Sequence, residues 1–128
     1  MSLAEHVEHT LLKPEATAAG IRKLCQEAKN YGLLGVCINP CYVALAKGEL
    51  AGTPVKVVTV VGFPLGADVS AVKAAAARQA VRDGADEVDM VLNVGAVKDG
   101  AWNRVREDIA AVVQAAAPQP VKVIIEAC

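Results

Sequence analysis

Asp86-Glu87-Val88-Asp89-Met90-Val91-Leu92-Asn93 is the stretch on which the reading of this chain turns. Val88, Met90, Val91 and Leu92 make a short apolar run bounded by polar residues, the pattern of a strand covered on both faces, as in a parallel sheet. Asp89 interrupts that run. A carboxylate in such a place loses hydration that only a partner or a raised pKa can offset. Two placements remain open. Asp89 either faces water past the sheet edge or projects into a site as a proton-transfer group.

Outward from this strand the chain alternates. On the N-terminal side, Val55, Val57, Val58, Thr59, Val60 and Val61 form a β-branched strand that ends in the loop Gly62-Phe63-Pro64-Leu65-Gly66. Phe63, the only phenylalanine, either covers a ligand or plugs the end of the core. Between the two strands a helix is expected to be capped by Asp68 and Ser70, to run through Val72, Ala76, Ala80 and Val81, and to stop at Gly84. Further upstream, residues 33–38 read as a buried strand closed by Asn39-Pro40, with a brief helix over 41–50. Before that, Thr17 caps a helix burying Ile21, Leu24, Cys25 and Ala28. The chain opens with a short helix over 3–9 and a strand at Thr10-Leu11-Leu12, with Glu8, His9 and Thr10 as a polar cluster. A lone histidine there is more often a structural hydrogen-bonder than a catalyst.

On the C-terminal side, Gly95 and Gly100 bracket a turn, and a helix over 102–116 is expected to bury Val105, Ile109, Val112 and Val113. Residues 121–126 form the last strand. Repeated β-α units with short connections imply an α/β fold with a parallel sheet and right-handed crossovers. An open flavodoxin-like sheet and part of a (β/α)8 barrel both satisfy that pattern.

Composition narrows the function classes. The 128 residues are expected to form a single domain, with an aliphatic core, since 54% are hydrophobic and 3% aromatic. A net charge of -1 leaves no basic footprint for nucleic acid. No apolar run approaches the ~18 residues of a membrane span. The N-terminal residues lack a signal-peptide pattern, so a soluble, cytoplasmic protein is expected. Cys25, Cys37, Cys41 and Cys128 lack the paired spacing of a structural zinc site, and Cys37-x3-Cys41 is a weak metal signal beside reduced thiols. No Gly-x-Gly-x-x-Gly run follows a strand, which disfavours a nucleotide site.

Five segments, in order, are similar to one family: Glu8-His9-Thr10-Leu11-Leu12-Lys13-Pro14, Gly35-Val36-Cys37-Ile38-Asn39-Pro40, Val58 to Gly66, Gly84 to Val91, and Val121-Lys122-Val123-Ile124-Ile125-Glu126. Together they resemble deoxyribose-phosphate aldolase, a family of class I lyases on a (β/α)8 barrel. The resemblance implies reversible cleavage of 2-deoxyribose 5-phosphate to acetaldehyde and glyceraldehyde 3-phosphate through a lysine Schiff base, as in nucleoside catabolism, with no metal or other cofactor. By matching motif, Asp89 is the catalytic proton-transfer aspartate, and Lys122 and Cys37 line the substrate site. Glu8, Thr10 and Phe63 are expected to line it too. Glu8 stands where the family usually has aspartate, so its carboxylate reaches about 1.5 Å further.

The family's Schiff-base lysine lies on its sixth strand, its second lysine on the seventh, and its phosphate loops after the seventh and eighth. No such segment occurs here. The expectation is therefore the N-terminal half, about five strands, of a barrel that typically needs roughly 250 residues. It would be inactive alone, with Lys122 as its only strand lysine. A homodimer would form through the exposed barrel edges and bury Val60, Val91 and Ile125. The alternative is a non-catalytic half-barrel or flavodoxin-like module that serves folding or self-association.

Overall fold

A computed structural model describes residues 2–126. Cys128 lies outside the described residues. A 3-10 turn at Leu3–His6 leads into strand β1 (Glu8–Leu11), followed by helix α1 (Ala18–Tyr31) and strand β2 (Gly35–Ile38). Helix α2 (Val43–Glu49), strand β3 (Lys56–Val61), helix α3 (Ser70–Asp83) and strand β4 (Glu87–Val91) come next. The short helix α4 (Val94–Lys98), helix α5 (Trp102–Ala116) and strand β5 (Val121–Ile124) complete the order. All five strands are parallel in the sequential order β1-β2-β3-β4-β5.

That order decides between the two architectures. A flavodoxin-like sheet reverses direction at a switch point and has the order 2-1-3-4-5, whereas a barrel adds each strand beside the last. Curvature gives a second criterion. In a flat sheet β1 and β5 would stand about 19 Å apart. Here Lys122 on β5 reaches Glu8 on β1 with a 3.1 Å hydrogen bond, so the sheet is rolled about its inner face. The five strands are five of the eight of a (β/α)8 barrel.

Register sorts every strand residue onto one of two faces. The pairs Val36↔Val57, Thr59↔Val88 and Met90↔Val123 lie on one face, and Cys37↔Val58, Val60↔Asp89 and Asp89↔Lys122 on the other. The outer face carries the main core. Val36, Ile38, Val57, Val61, Val88 and Met90 pack with Ile21, Leu24, Cys25, Ala28, Ala77, Ala80 and Val112 from the helices. The inner face carries a small apolar cluster of Cys37, Val58 and Val60, with Leu12 against it.

Several local expectations shift. β1 begins at Glu8, not Thr10, because Glu8 and His9 pair with Gly35 and Val36. The leading helix is correspondingly shorter. β2 starts at Gly35, since Leu33 and Leu34 are used earlier, Leu33 N–H closing the end of α1 and Leu34 N–H bonding Val7 O. Over 41–50, a 3-10 turn at Pro40–Tyr42 precedes α2. Neither Asp68 nor Ser70 caps α3. Val69 holds the N-cap position with no side-chain bond, and the Ser70 hydroxyl is directed to Asp108 instead. The core-facing residues of α3 are Lys73, Ala77 and Ala80, which turns Val72 outward. In place of a simple turn between Gly95 and Gly100 the chain forms α4, which starts one residue earlier at Val94 and is capped by Asn93. Asp108 is buried on α5, and the helix phase that places it there leaves Val113 exposed. β5 ends at Ile124, so Ile124 rather than Ile125 shares the inner face with Val91.

Candidate active site

Alternation along parallel strands directs Glu8, Cys37, Glu87, Asp89 and Lys122 to the same side of the sheet. The roll of the sheet then converges them. Lys122 Nζ lies 3.1 Å from Glu8 Oε1, 3.1 Å from Glu87 Oε2 and 3.9 Å from Asp89 Oδ2. Ligand atoms of Glu8, Cys37 and Asp89 all fall within 4.8 Å of one another. One ammonium therefore serves three carboxylates. Asp89 is 6% exposed, and its buried Oδ1 has no hydrogen-bond partner.

The electrostatics follow from that crowding. Burial, then hydrogen bonding and charge repulsion from Glu87, push Asp89 up from 3.8 to about 7. Burial, then the charges of Asp89 and Glu8, push the Cys37 thiol up to about 12. Partial burial works to lower the Lys122 ammonium, but hydrogen bonds to Glu8 and Glu87 and the charge of Asp89 outweigh it and hold the group above its ordinary range. At neutral pH the chemistry is that of a carboxyl poised to give or take a proton, a fixed cation and an inert thiol.

The structure thus brings together four of the residues picked out from sequence: Glu8, Cys37, Asp89 and Lys122. Thr10 lies on the same strand face as Glu8 but is exposed, its hydroxyl donating to Glu8 O. Phe63 is 41% exposed on the loop after β3, beside a hollow of about 200 Å³ lined by Gly62, Pro64, Leu65, Ala67 and Asp68. None of the clustered residues lines that hollow. His9 points the other way, to Glu27 on α1 at 3.3 Å, the structural role expected of it. Sequence reading missed Glu87, although its position two residues before Asp89 was the available signal: in a strand, i and i+2 share a face. It also overlooked Lys56, which opens β3. A larger hollow of about 660 Å³, lined in part by Lys47, Thr53, Lys56, Asp86 and Gln119, opens where β3, β4 and β5 begin. None of Glu8, Cys37, Glu87, Asp89 and Lys122 lines it.

The profile of the DeoC/LacD family aldolases matches residues 5–128. A deoxyribose-phosphate aldolase of Thermotoga petrophila is 58% identical over 122 residues, covering 95% of this chain and 49% of the relative. A crystal structure from Coccidioides immitis, provisionally assigned as a deoxyribose-phosphate aldolase, superposes with a TM-score of 0.95 at 40% identity, covering 97% of this chain and 49% of that one. A tetrameric deoxyribose phosphate aldolase from Aeropyrum pernix superposes with a TM-score of 0.83 at 32% identity, covering 98% of this chain and 53% of that one. The chain spans about half the length of the curated relatives it matches.

Proposed function

This chain belongs to the DeoC/LacD aldolase family, and on that premise we propose that its inner face is the proton-transfer side of a 2-deoxyribose 5-phosphate aldolase site. The observation that carries the reading is Asp89, buried among Glu8, Glu87 and Lys122 with one oxygen unpartnered. In retro-aldol cleavage the C3 hydroxyl loses its proton and becomes the carbonyl of the departing aldehyde as the sugar's C2–C3 bond breaks, the bond's electron pair passes to a lysine iminium, and the resulting enamine carbon takes up a proton. A carboxyl titrating near neutrality suits that proton's delivery and return. The three carboxylates around one ammonium also favour a further cation, the role the family gives to a lysine from a later strand.

Lys122 is not that nucleophile. Iminium formation needs a free amine, and the surrounding carboxylates keep Lys122 protonated. Borohydride trapping of this chain with acetaldehyde, read by peptide mapping, therefore shows no adduct at Lys122 above the background of exposed amines, and preferential labelling of Lys122 would overturn the assignment. The complementary test supplies the remaining strands of a family relative in trans. Cleavage of 2-deoxyribose 5-phosphate is expected to return, and Asp89→Asn to lower it about a hundredfold or more. Restored cleavage that tolerates Asp89→Asn sinks the role given to Asp89.

A second reading concerns assembly. Among the described residues each of β1 and β5 has one neighbour in the sheet, whereas Val60 and Val91, expected to be covered by a partner, are already buried within the single chain. We infer that this chain alone pairs with a second copy, which covers both edges at once. Light scattering that gives a monomer mass at micromolar concentration is the contrary result.

A further inference from the structure

On the helix side of β4 sits a charged group that the proton-transfer chemistry does not use. Lys73 on α3 is 0% exposed, and its Nζ donates to Asp108 Oδ2 of α5 at 2.6 Å and to Val91 O of β4 at 3.1 Å. Asp108, itself buried, accepts a 2.7 Å bond from the Ser70 hydroxyl at its other oxygen. The pairing of β3 with β4 ends at Val61↔Met90. Val91 is one residue further, where β3 has already turned away at Gly62 with φ of +64°. A Cβ on Gly62 would stand 2.9 Å from Lys73 Cε, so the lysine stem runs through the space this glycine leaves open. The ammonium takes the place of the next strand at the carbonyl two residues beyond Asp89.

We propose that Lys73 is a positioning residue for the inner-face site: by holding the Val91 carbonyl, with Asp108 and Ser70 fixing its own place, it sets the height at which Asp89 meets Glu8, Glu87 and Lys122. This rests on the aldolase reading only for its consequence in turnover. The hold of Lys73 on the Val91 carbonyl is independent of it. A buried ion pair is weak evidence for stability, since well-packed apolar replacements are often neutral. That separates holding the fold from holding Asp89.

The test compares two variants of this chain by carboxyl-carbon NMR, following the titration of Asp89. Lys73→Met with Asp108→Leu removes the donor to Val91 while filling the space. Asp108→Asn keeps Lys73 as the donor to Val91 and leaves an amide oxygen to accept from the lysine and hold it in place. The first is expected to move the Asp89 midpoint by about one unit toward the ordinary carboxyl value, and the second to leave it near that of the parent chain. With the remaining strands supplied in trans, the double variant lowers kcat for 2-deoxyribose 5-phosphate cleavage by about tenfold or more with KM little changed. A folded double variant with an unshifted Asp89 titration overturns the proposal. So does a double variant that does not fold, because the pair would then be a requirement of the fold itself. If the parent gives no cleavage in trans, the aldolase reading fails while the titration still decides the role of Lys73.

Discussion

The two faces of one sheet obey opposite rules. On the outer face, Val36, Ile38, Val57, Val61, Val88 and Met90 lie fully or almost fully buried under the helices. On the inner face, Glu8, Glu87, Asp89 and Lys122 crowd together beside a core of three buried residues, Cys37, Val58 and Val60. Adjacent positions on one strand, Val88, Asp89 and Met90, alternate between the two. The outer face secures the sheet, and its surplus of burial lets the inner face keep a desolvated carboxyl.

The largest effect expected from this contrast is on the outer face. Ile38→Ala should lower stability in urea unfolding by about 2–5 kcal/mol, because it opens a cavity in a close-packed core. A loss below about 1 kcal/mol would mean the site collapses to fill the void, and the contrast with the inner face would blur.

Asp89→Asn is expected to act in the other direction. Because the folded-state pKa of Asp89 is raised from 3.8 to about 7, its favourable contribution is fully present below 3.8 and is lost as the pH rises through about 7. The parent chain should therefore lose stability across that window, and Asp89→Asn should flatten the slope. An equal slope in both chains would place the titrating group elsewhere.

Lys122→Met tests the inner face from the cationic side. Removing what is, among the described residues, the only counter-charge within 4 Å of Glu8, Glu87 and Asp89 should raise the Asp89 midpoint further, as read by carboxyl-carbon NMR. A fall would mean the cluster opens to water instead. The smallest change belongs to neither face. Lys47→Ala removes a half-exposed ion pair to Asp86 at 3.3 Å, worth no more than about 0.5 kcal/mol, since Asp86 keeps its bond to Val57 N–H.

Much of this was legible in the sequence. β-α alternation marked the parallel sheet, and Asp89 stood out because a charge within an apolar run is costly wherever it points. The helix phases of α3 and α5 were not legible. Hydrophobic spacing favoured Val72 and Val113 as buried, whereas the helices turn to bury Lys73 and Asp108, whose mutual pairing offsets their desolvation. No rule of local periodicity anticipates a buried lysine, because its partner lies 35 residues away. Glu87 was missed for the reverse reason. Its signal was local, but an acid at a strand's first position reads as a solvated end until the sheet rolls over it.

The sequence by itself determined the element order, the parallel sheet, the aliphatic outer core and the side of the strand that Asp89 shares with its i±2 neighbours, because these follow from side-chain period and turn chemistry. Tertiary structure decided the sequential strand order and the roll that carries Lys122 to Glu8 across 114 residues of chain. It also decided the proton affinity of Asp89, because that depends on how many charges share one desolvated space, and separation along the chain does not encode separation across a barrel.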